Sequence, residues 1–212
     1  MKEACAVKLY DYSKSSASYR VRIALNLKGL AYQSHAISLL DGEQRDDAYL
    51  VLNPTGLVPT LIDNGKVLTQ SLAIIEYLEE VYPSPALLPA GHVARATCRA
   101  LALDIACDIH PLNNLRVLKH LTGSLSHSED EKLAWYLHWL KTGLASLEKK
   151  LVSGHTAFCC DSTPTLADIC LVPQLFNARR FSLDLTPYPT LTEIEQRCQA
   201  LPAFERAHPD NV

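Results

Sequence analysis

The chain has 212 residues, 48% hydrophobic and 20% charged, enough to bury one or two ordinary cores and free of the biases of disordered, collagenous or low-complexity sequences. Lys+Arg is 20 against Asp+Glu 23, a formal net charge of −3, so no basic footprint for nucleic acid is expected, although a few arginines can still converge on a small anion. Its apolar runs are a few residues long, against the roughly 20 a membrane span needs, and Met1–Cys5 shows no apolar core or cleavage pattern; a cytoplasmic protein is expected.

Val7 to Tyr10 reads as a strand. After the polar run Ser13-Lys14-Ser15-Ser16, Val21, Ala24, Leu25 and Lys28 recur at helical spacing, and Gly29 sits where a helix stops. Tyr32 to Leu39 alternates like a second strand, with His35, Ile37 and Leu39 on one face. A polar, poorly periodic stretch runs from Asp41 to Tyr49. The runs Val58-Pro59-Thr60-Leu61-Ile62 and Lys66-Val67-Leu68 flank Asp63-Asn64-Gly65, and Asn-Gly between apolar runs signals a type I′ hairpin. Gln70-Ser71 opens a helix through Leu72, Ile75, Leu78 and Val81, with Ser71 as the expected N-cap. The order β-α-β-α-β-β-α defines an α/β module over residues 1–83.

Residues 84–91 read as a linker, because prolines and a glycine crowd the segment from Pro83 to Gly91. Residues 92–212 show almost no strand signal and read as an all-α domain. Arg95 to Leu121 is helical with a break near His110-Pro111. Glu129 to Leu151 carries Leu133, Leu137, Leu140, Leu144, Leu147 and Leu151 on one stripe. Thr165 and Asp168 make a capping-box start for a helix that contains Pro173, and a last helix spans about Leu191 to Leu201. The seven cysteines form no C-x-x-C pair and read as free thiols, with Cys98, Cys107 and Cys170 as small buried hydrophobes. The histidines show no ligand spacing and no glycine-rich phosphate loop is present, so no metal and no nucleotide are expected.

Four places can carry chemistry. Ser13 to Arg20 offers hydroxyls and amides at a helix N-terminus, where an anion or thiolate is favoured, or a plain serine cap. Val58-Pro59, if cis, turns the Val58 backbone toward a peptide-like ligand; in the trans form, the commoner outcome for X-Pro, it simply removes a ladder donor. Gln70-Ser71 suits a carboxylate, or serves only as a cap. His110 to Arg116 is unusually polar for its helix, and Arg179-Arg180 adds cations that suit a carboxylate-bearing substrate or an ordinary ion pair.

Taken together, Ser15-Ser16-Ala17-Ser18-Tyr19-Arg20-Val21-Arg22-Ile23-Ala24-Leu25, Asn53-Pro54, Val58-Pro59-Thr60-Leu61, the run Gln70 to Glu80 and Asp184 to Pro189 resemble the zeta-class glutathione transferases over nearly the whole chain. Cys107 to Asn114 resembles the bacterial maleylacetoacetate and maleylpyruvate isomerases of that class. The resemblance implies a thioredoxin-like N-terminal domain, an all-helical C-terminal domain, a homodimer, and glutathione as cofactor. It implies Ser15 and Ser16 as catalytic groups at the glutathione sulfur. Ser15, Ser16, Ala17, Ser18, Tyr19, Arg20, Gln44, Val58, Gln70, Ser71, His110, Asn114, Leu115 and Arg116 would border glutathione, and Lys14, Arg116 and Arg180 the second substrate. The implied reaction is cis–trans isomerisation of maleylacetoacetate in tyrosine and phenylalanine breakdown, by thiolate addition, bond rotation and elimination. The alternatives are maleylpyruvate isomerisation, transferase or dehalogenase action on halogenated compounds, and a non-catalytic binding module. This chain departs from the class at Ala17, where relatives carry cysteine, and at Tyr19, where they carry tryptophan. Lowering an ordinary thiol pKa of about 8.5 by about 2 asks for roughly 2.7 kcal/mol, within reach of a serine hydroxyl plus a helix N-terminus.

Overall fold

The computed structural model describes residues 7–154 and 156–212, so Met1–Cys5 lie outside the described residues. The chain forms two compact units, Met1–Leu87 with Ala200–Val212, and Leu88–Gln199.

In the first unit, β1 (Val7–Asp11) lies between β2 (Tyr32–Ala36), which is parallel to it, and β3 (Thr60–Asp63), which is antiparallel; β4 (Lys66–Thr69) closes the order β2-β1-β3-β4. Val7, Leu9 and Asp11 alternate inward, as the sequence period requires. The parallel β1–β2 pair needs a crossover, which α1 (Ser16–Leu27) supplies; it ends before Gly29 at φ +67°, a conformation glycine adopts without a Cβ clash. The second strand stops short of the expected Leu39. Asp11, the last residue of β1, pairs with Ala36, and after one more bond from Ile37 N–H to Asp11 O (2.7 Å) β1 offers no further partner. Between β2 and β3 lie a 3₁₀ turn, Glu43–Arg45, and a short helix, α2 (Asp47–Leu50). Asn64 and Gly65 both have positive φ, +47° and +74°, the type I′ geometry their sequence announces.

Helix α3 (Ser71–Val81) corrects one expectation. Ser71 is its first helical residue; Gln70 holds the cap position with no capping side-chain bond. Below it, Tyr77 and Tyr82 hydroxyls both donate to Asp63 Oδ2 at 2.9 Å and tie the helix to β3. The buried Lys28–Glu79 ion pair (2.7 Å) also fixes the segment after α3: Lys28 donates to Pro85 O (2.7 Å) and Glu79 accepts from Leu87 N–H (2.8 Å). Residues expected as linker are therefore bonded to the first unit as far as Leu87. The C-terminus differs from a contiguous helical domain in the same sense. Helix α9 (Pro202–Ala207) packs on α1, with Asn26 Nδ2 donating to Ala203 O and Arg22 Nε to Ala207 O, both at 3.0 Å.

The second unit is helical. Helix α4 (His92–Leu103) runs into a π-helical segment, Asp104–Ile109, then a turn, then α5 (Leu115–Thr122). Helix α6 (Glu129–Leu151) starts on a capping box of Ser128 and Glu131. It buries Tyr136, Leu140, Leu144, Leu147 and Leu151, while Leu133 is exposed, so the leucine stripe holds only over its C-terminal part. Gly143 admits the π-segment: a Cβ there would lie 2.3 Å from the Ile109 side chain. Helix α7 (Leu166–Arg180) is buried nearly throughout and carries Pro173 in its interior, and α8 (Pro189–Gln199) comes next. Asp168 is fully buried at the start of α7. Its carboxylate accepts from Thr165 N–H, Thr165 Oγ and Cys159 N–H, each at 2.8 Å.

Cys98 and Cys170 are buried as expected, but Cys107 is exposed. It lies in the π-segment, where the wider turn rotates a residue off the helical face that its sequence period assigns. Burial pushes the Cys159 and Cys198 thiols up, so both are poor nucleophiles at neutral pH. Cys107, which is exposed, should therefore react ahead of the buried Cys159 and Cys198 with an aromatic disulfide reagent in the folded protein. Peptide mapping after a brief pulse checks this; label at Cys159 or Cys198 ahead of Cys107 would contradict it.

Candidate active site

The sheet register gathers one group of candidates. Tyr10 of β1 pairs with Thr60 of β3, which pairs with Thr69 of β4. The turn leaving β1, the segment entering β3 and the residues leaving β4 therefore share one end of the sheet. These are Ser13–Ser15, Val58–Pro59 and Gln70–Ser71.

Ser15 is the N-cap of α1, and its Oγ accepts from Ser18 N–H at 3.3 Å. A serine hydroxyl has one proton and two acceptor sites, so this bond leaves its O–H to donate. Ser16 begins the helix and is buried; Lys14, one residue before the cap, is exposed. Ala17 is half-buried, whereas Ser18, Tyr19 and Arg20 turn inward. Tyr19 packs edge-on against His208 (6.1 Å), with the Arg22 guanidinium 5.2 Å from its ring centre. The tyrosine that replaces the class tryptophan is thus part of the α1 packing. Arg20 Nη1 donates to Ser71 Oγ at 3.3 Å and joins the starts of α1 and α3.

Val58-Pro59 is cis, and the Val58 backbone has no backbone partner among the described residues. The preceding segment is pinned: Tyr49 OH and Asn53 Nδ2 both donate to Leu57 O, at 2.6 and 2.7 Å. Burial pushes the Tyr49 phenol up and keeps it a donor. Gln44, on the 3₁₀ turn, has its Oε1 buried with no hydrogen-bond partner among the described residues. Gln70 sits at φ +69°, ψ 116°, a region sparsely populated by residues with a Cβ and costing of order 1–3 kcal/mol. That backbone presents the first-turn N–H groups of α3, which no helix satisfies internally, at the same end of the sheet as Ser15. An unpartnered amide oxygen, an unpaired strand entrance and a helix start with donors together fit a short peptide carrying an α-carboxylate, as glutathione does.

The second unit holds the other candidates. His110 Nε2 lies 3.5 Å from Asn114 Nδ2, and Asn114 caps α5 by accepting from Arg116 N–H at 3.1 Å. Leu115 and Arg116 are exposed on the first turn of α5. Arg180, exposed at the end of α7, has its guanidinium 5.9 Å from the Phe176 ring centre. Adjacent residues of α6 touch both places: Trp135 Nε1 donates to Leu112 O (2.8 Å), and Tyr136 stacks on Phe181 at 3.7 Å. Burial pushes the Tyr136 phenol up, with Arg180 pulling the other way. Arg179 is a different case; it pairs with buried Glu195 at 2.6 Å and is structural. Sequence reasoning missed Trp135 and Tyr136, which lie beside the leucine stripe, and gave Arg22 no role beyond its place in the motif from Ser15 to Leu25.

Residues 9–86 match the family described as glutathione S-transferase, N-terminal domain. A probable maleylacetoacetate isomerase of Vibrio cholerae is 53% identical over 207 residues, 96% of this chain and 95% of that one. The holo structure of a maleyl pyruvate isomerase, a bacterial zeta-class glutathione S-transferase, superposes with TM-score 0.95 at 46% identity, covering 97% of this chain and 98% of that one. The maleylacetoacetate isomerase of Methylobacterium extorquens, crystallised with bound malonate and glutathione, gives TM-score 0.94 at 39% identity, covering 97% of both chains. The chain belongs to the glutathione transferase family, and within it to the zeta class of maleylacetoacetate and maleylpyruvate isomerases.

Proposed function

We propose that the chain is a glutathione-dependent cis–trans isomerase that converts maleylacetoacetate to fumarylacetoacetate in tyrosine and phenylalanine breakdown. The observation that carries this is the row of Ser15, Val58 and Gln70–Ser71 along one end of the sheet, in a chain so similar to proteins of that name. Glutathione, when bound, supplies a sulfur nucleophile for reversible addition to the conjugated alkene. Ser15 donates a hydrogen bond from its hydroxyl to the sulfur, and Ser16 adds the first amide of α1, so the anionic form is favoured. Ser71 and the first-turn amides of α3 hold the γ-glutamyl carboxylate, with Gln70 beside them. The Val58 backbone and Gln44 hold the rest of the peptide. Arg116 and Arg180 take the substrate carboxylates and the charge that develops on the substrate oxygen, with His110, Asn114 and Leu115 beside Arg116 in the chain; Lys14, next to Ser15, adds a cation for the same substrate. Ala17 supplies a methyl group and no second sulfur, so the reaction rests on one thiol alone. The protein works as a cytoplasmic homodimer on this reading.

A second reading, maleylpyruvate as substrate, is favoured by the maleyl pyruvate isomerase of TM-score 0.95. The spectral decay of each substrate with glutathione decides between them; kcat/KM at least tenfold higher for maleylpyruvate would overturn the first. Arg116→Ala or Arg180→Ala should raise the KM for substrate more than that for glutathione, because losing a charge-assisted pair costs about 1.5–3 kcal/mol. Equal change in both constants, or a loss of stability alone, would make those arginines structural.

A further inference from the structure

We propose that Arg22 is a positioning residue that sets the Ser15 hydroxyl and ties the C-terminal segment to it; this rests on the reading of Ser15 as the donor to the glutathione sulfur. Arg22 is fully buried, and its guanidinium is bonded on every side. Nη1 donates to both Asp11 carboxylate oxygens (2.8 and 2.7 Å), Nη2 to Ser13 O (2.8 Å) and Nε to Ala207 O (3.0 Å). Asp11 ends β1. Ser13 lies inside the turn that Ser15 N–H closes onto Tyr12 O at 2.9 Å. One planar fork therefore grips the turn at its entry and two residues before Ser15, and anchors both points to the last residue of α9.

A buried ion pair is poor at supplying stability alone, since well-packed apolar residues of similar volume often do as well or better. What the guanidinium adds is direction: its rigid planar fork of donors reaches acceptors on three residues, Asp11, Ser13 and Ala207. Lysine has the charge but lacks that fork. The Ser15 Oγ, which accepts a long bond from Ser18 N–H on the other side, takes its place from this turn.

The test uses the full-length protein as wild type, Arg22→Lys, Ser15→Ala and the double variant. The thiolate absorbance of bound glutathione is titrated against pH with no second substrate present, beside the glutathione Kd and the Tm of the unliganded protein. Arg22→Lys should move the thiolate midpoint to higher pH and lower the thiolate at neutral pH about three- to tenfold, the worth of one hydrogen bond. Its glutathione Kd should change less than about threefold, because Gln70 and Ser71 are untouched. In the Ser15→Ala background, Arg22→Lys should shift the midpoint no further, since a residue acting through Ser15 has nothing left to position. A fall in Tm with an unchanged midpoint, or additive shifts in the double variant, overturns the proposal. An unmoved midpoint in Ser15→Ala overturns the reading of Ser15 itself, and the proposal with it; a shift there but none in Arg22→Lys overturns the proposal alone. If Arg22→Lys does not fold, Arg22→Gln, which keeps one donor group without the fork, carries the same comparison.

Discussion

Ser15→Ala should cut isomerase turnover about a hundred- to a thousandfold, the usual effect of removing one aligned donor from a developing or stabilised anion. The structure explains why the loss should fall on kcat. Ser15 caps α1 and leaves a proton to donate, while the groups proposed to hold the peptide lie on other segments, at Val58 and at Gln70–Ser71. Calorimetric titration should therefore give a glutathione Kd within about threefold of wild type, beyond the roughly 1 kcal/mol that losing an N-cap costs in stability. Near-normal turnover in Ser15→Ala would move the role to Ser16 or to the backbone of α1.

Asp168→Ala should be the most damaging single change to the fold. The carboxylate is buried and satisfies three donors, two of them backbone N–H groups. Alanine strands those donors and removes the reach-back of the capping box. Each buried unsatisfied donor costs about 1–3 kcal/mol, so a loss of about 3–5 kcal/mol is expected from urea unfolding. Burial also pushes the Asp168 carboxyl above its ordinary value, against the Cys159 and Thr165 hydrogen bonds. The native state then holds that proton more tightly than the unfolded chain does. This contribution is full below the ordinary aspartate value and is lost as pH rises through the raised one. The gap between wild type and variant should accordingly be widest in acid. A loss under about 1 kcal/mol, or a gap that widens toward neutral pH, would contradict these roles for Asp168.

What was legible in the sequence was local. Asn64-Gly65 specifies its own turn, Thr165 and Asp168 their own helix start, and the leucines from Leu140 to Leu151 their own buried face, because each signal lies within a few residues of what it controls. What was not legible depends on distant partners. The end of β2 is set by where β1 stops. Cys107 reads as buried until a π-turn rotates it outward. Gln70 takes a positive φ that its side chain does not favour, so Ser71 looked like the cap. Ala200–Val212 reads as more helix, and its packing on α1, with the bonds from Arg22 and Asn26, assigns it to the first unit. The candidate site divides in the same way. The Ser15 and Gln70–Ser71 segments announce a helix start in sequence, and the register that brings them to one end of the sheet is a property of the fold.

An isomerase of this kind returns its glutathione at every turnover. This is tested by monitoring maleylacetoacetate with the purified chain at substoichiometric glutathione and assaying free thiol after the substrate is spent. Complete conversion to the trans product, an absolute requirement for glutathione and full recovery of the thiol are expected. Conversion that stops when one equivalent of glutathione is consumed, with a stable conjugate as product, would make the chain a conjugating transferase and contradict that claim.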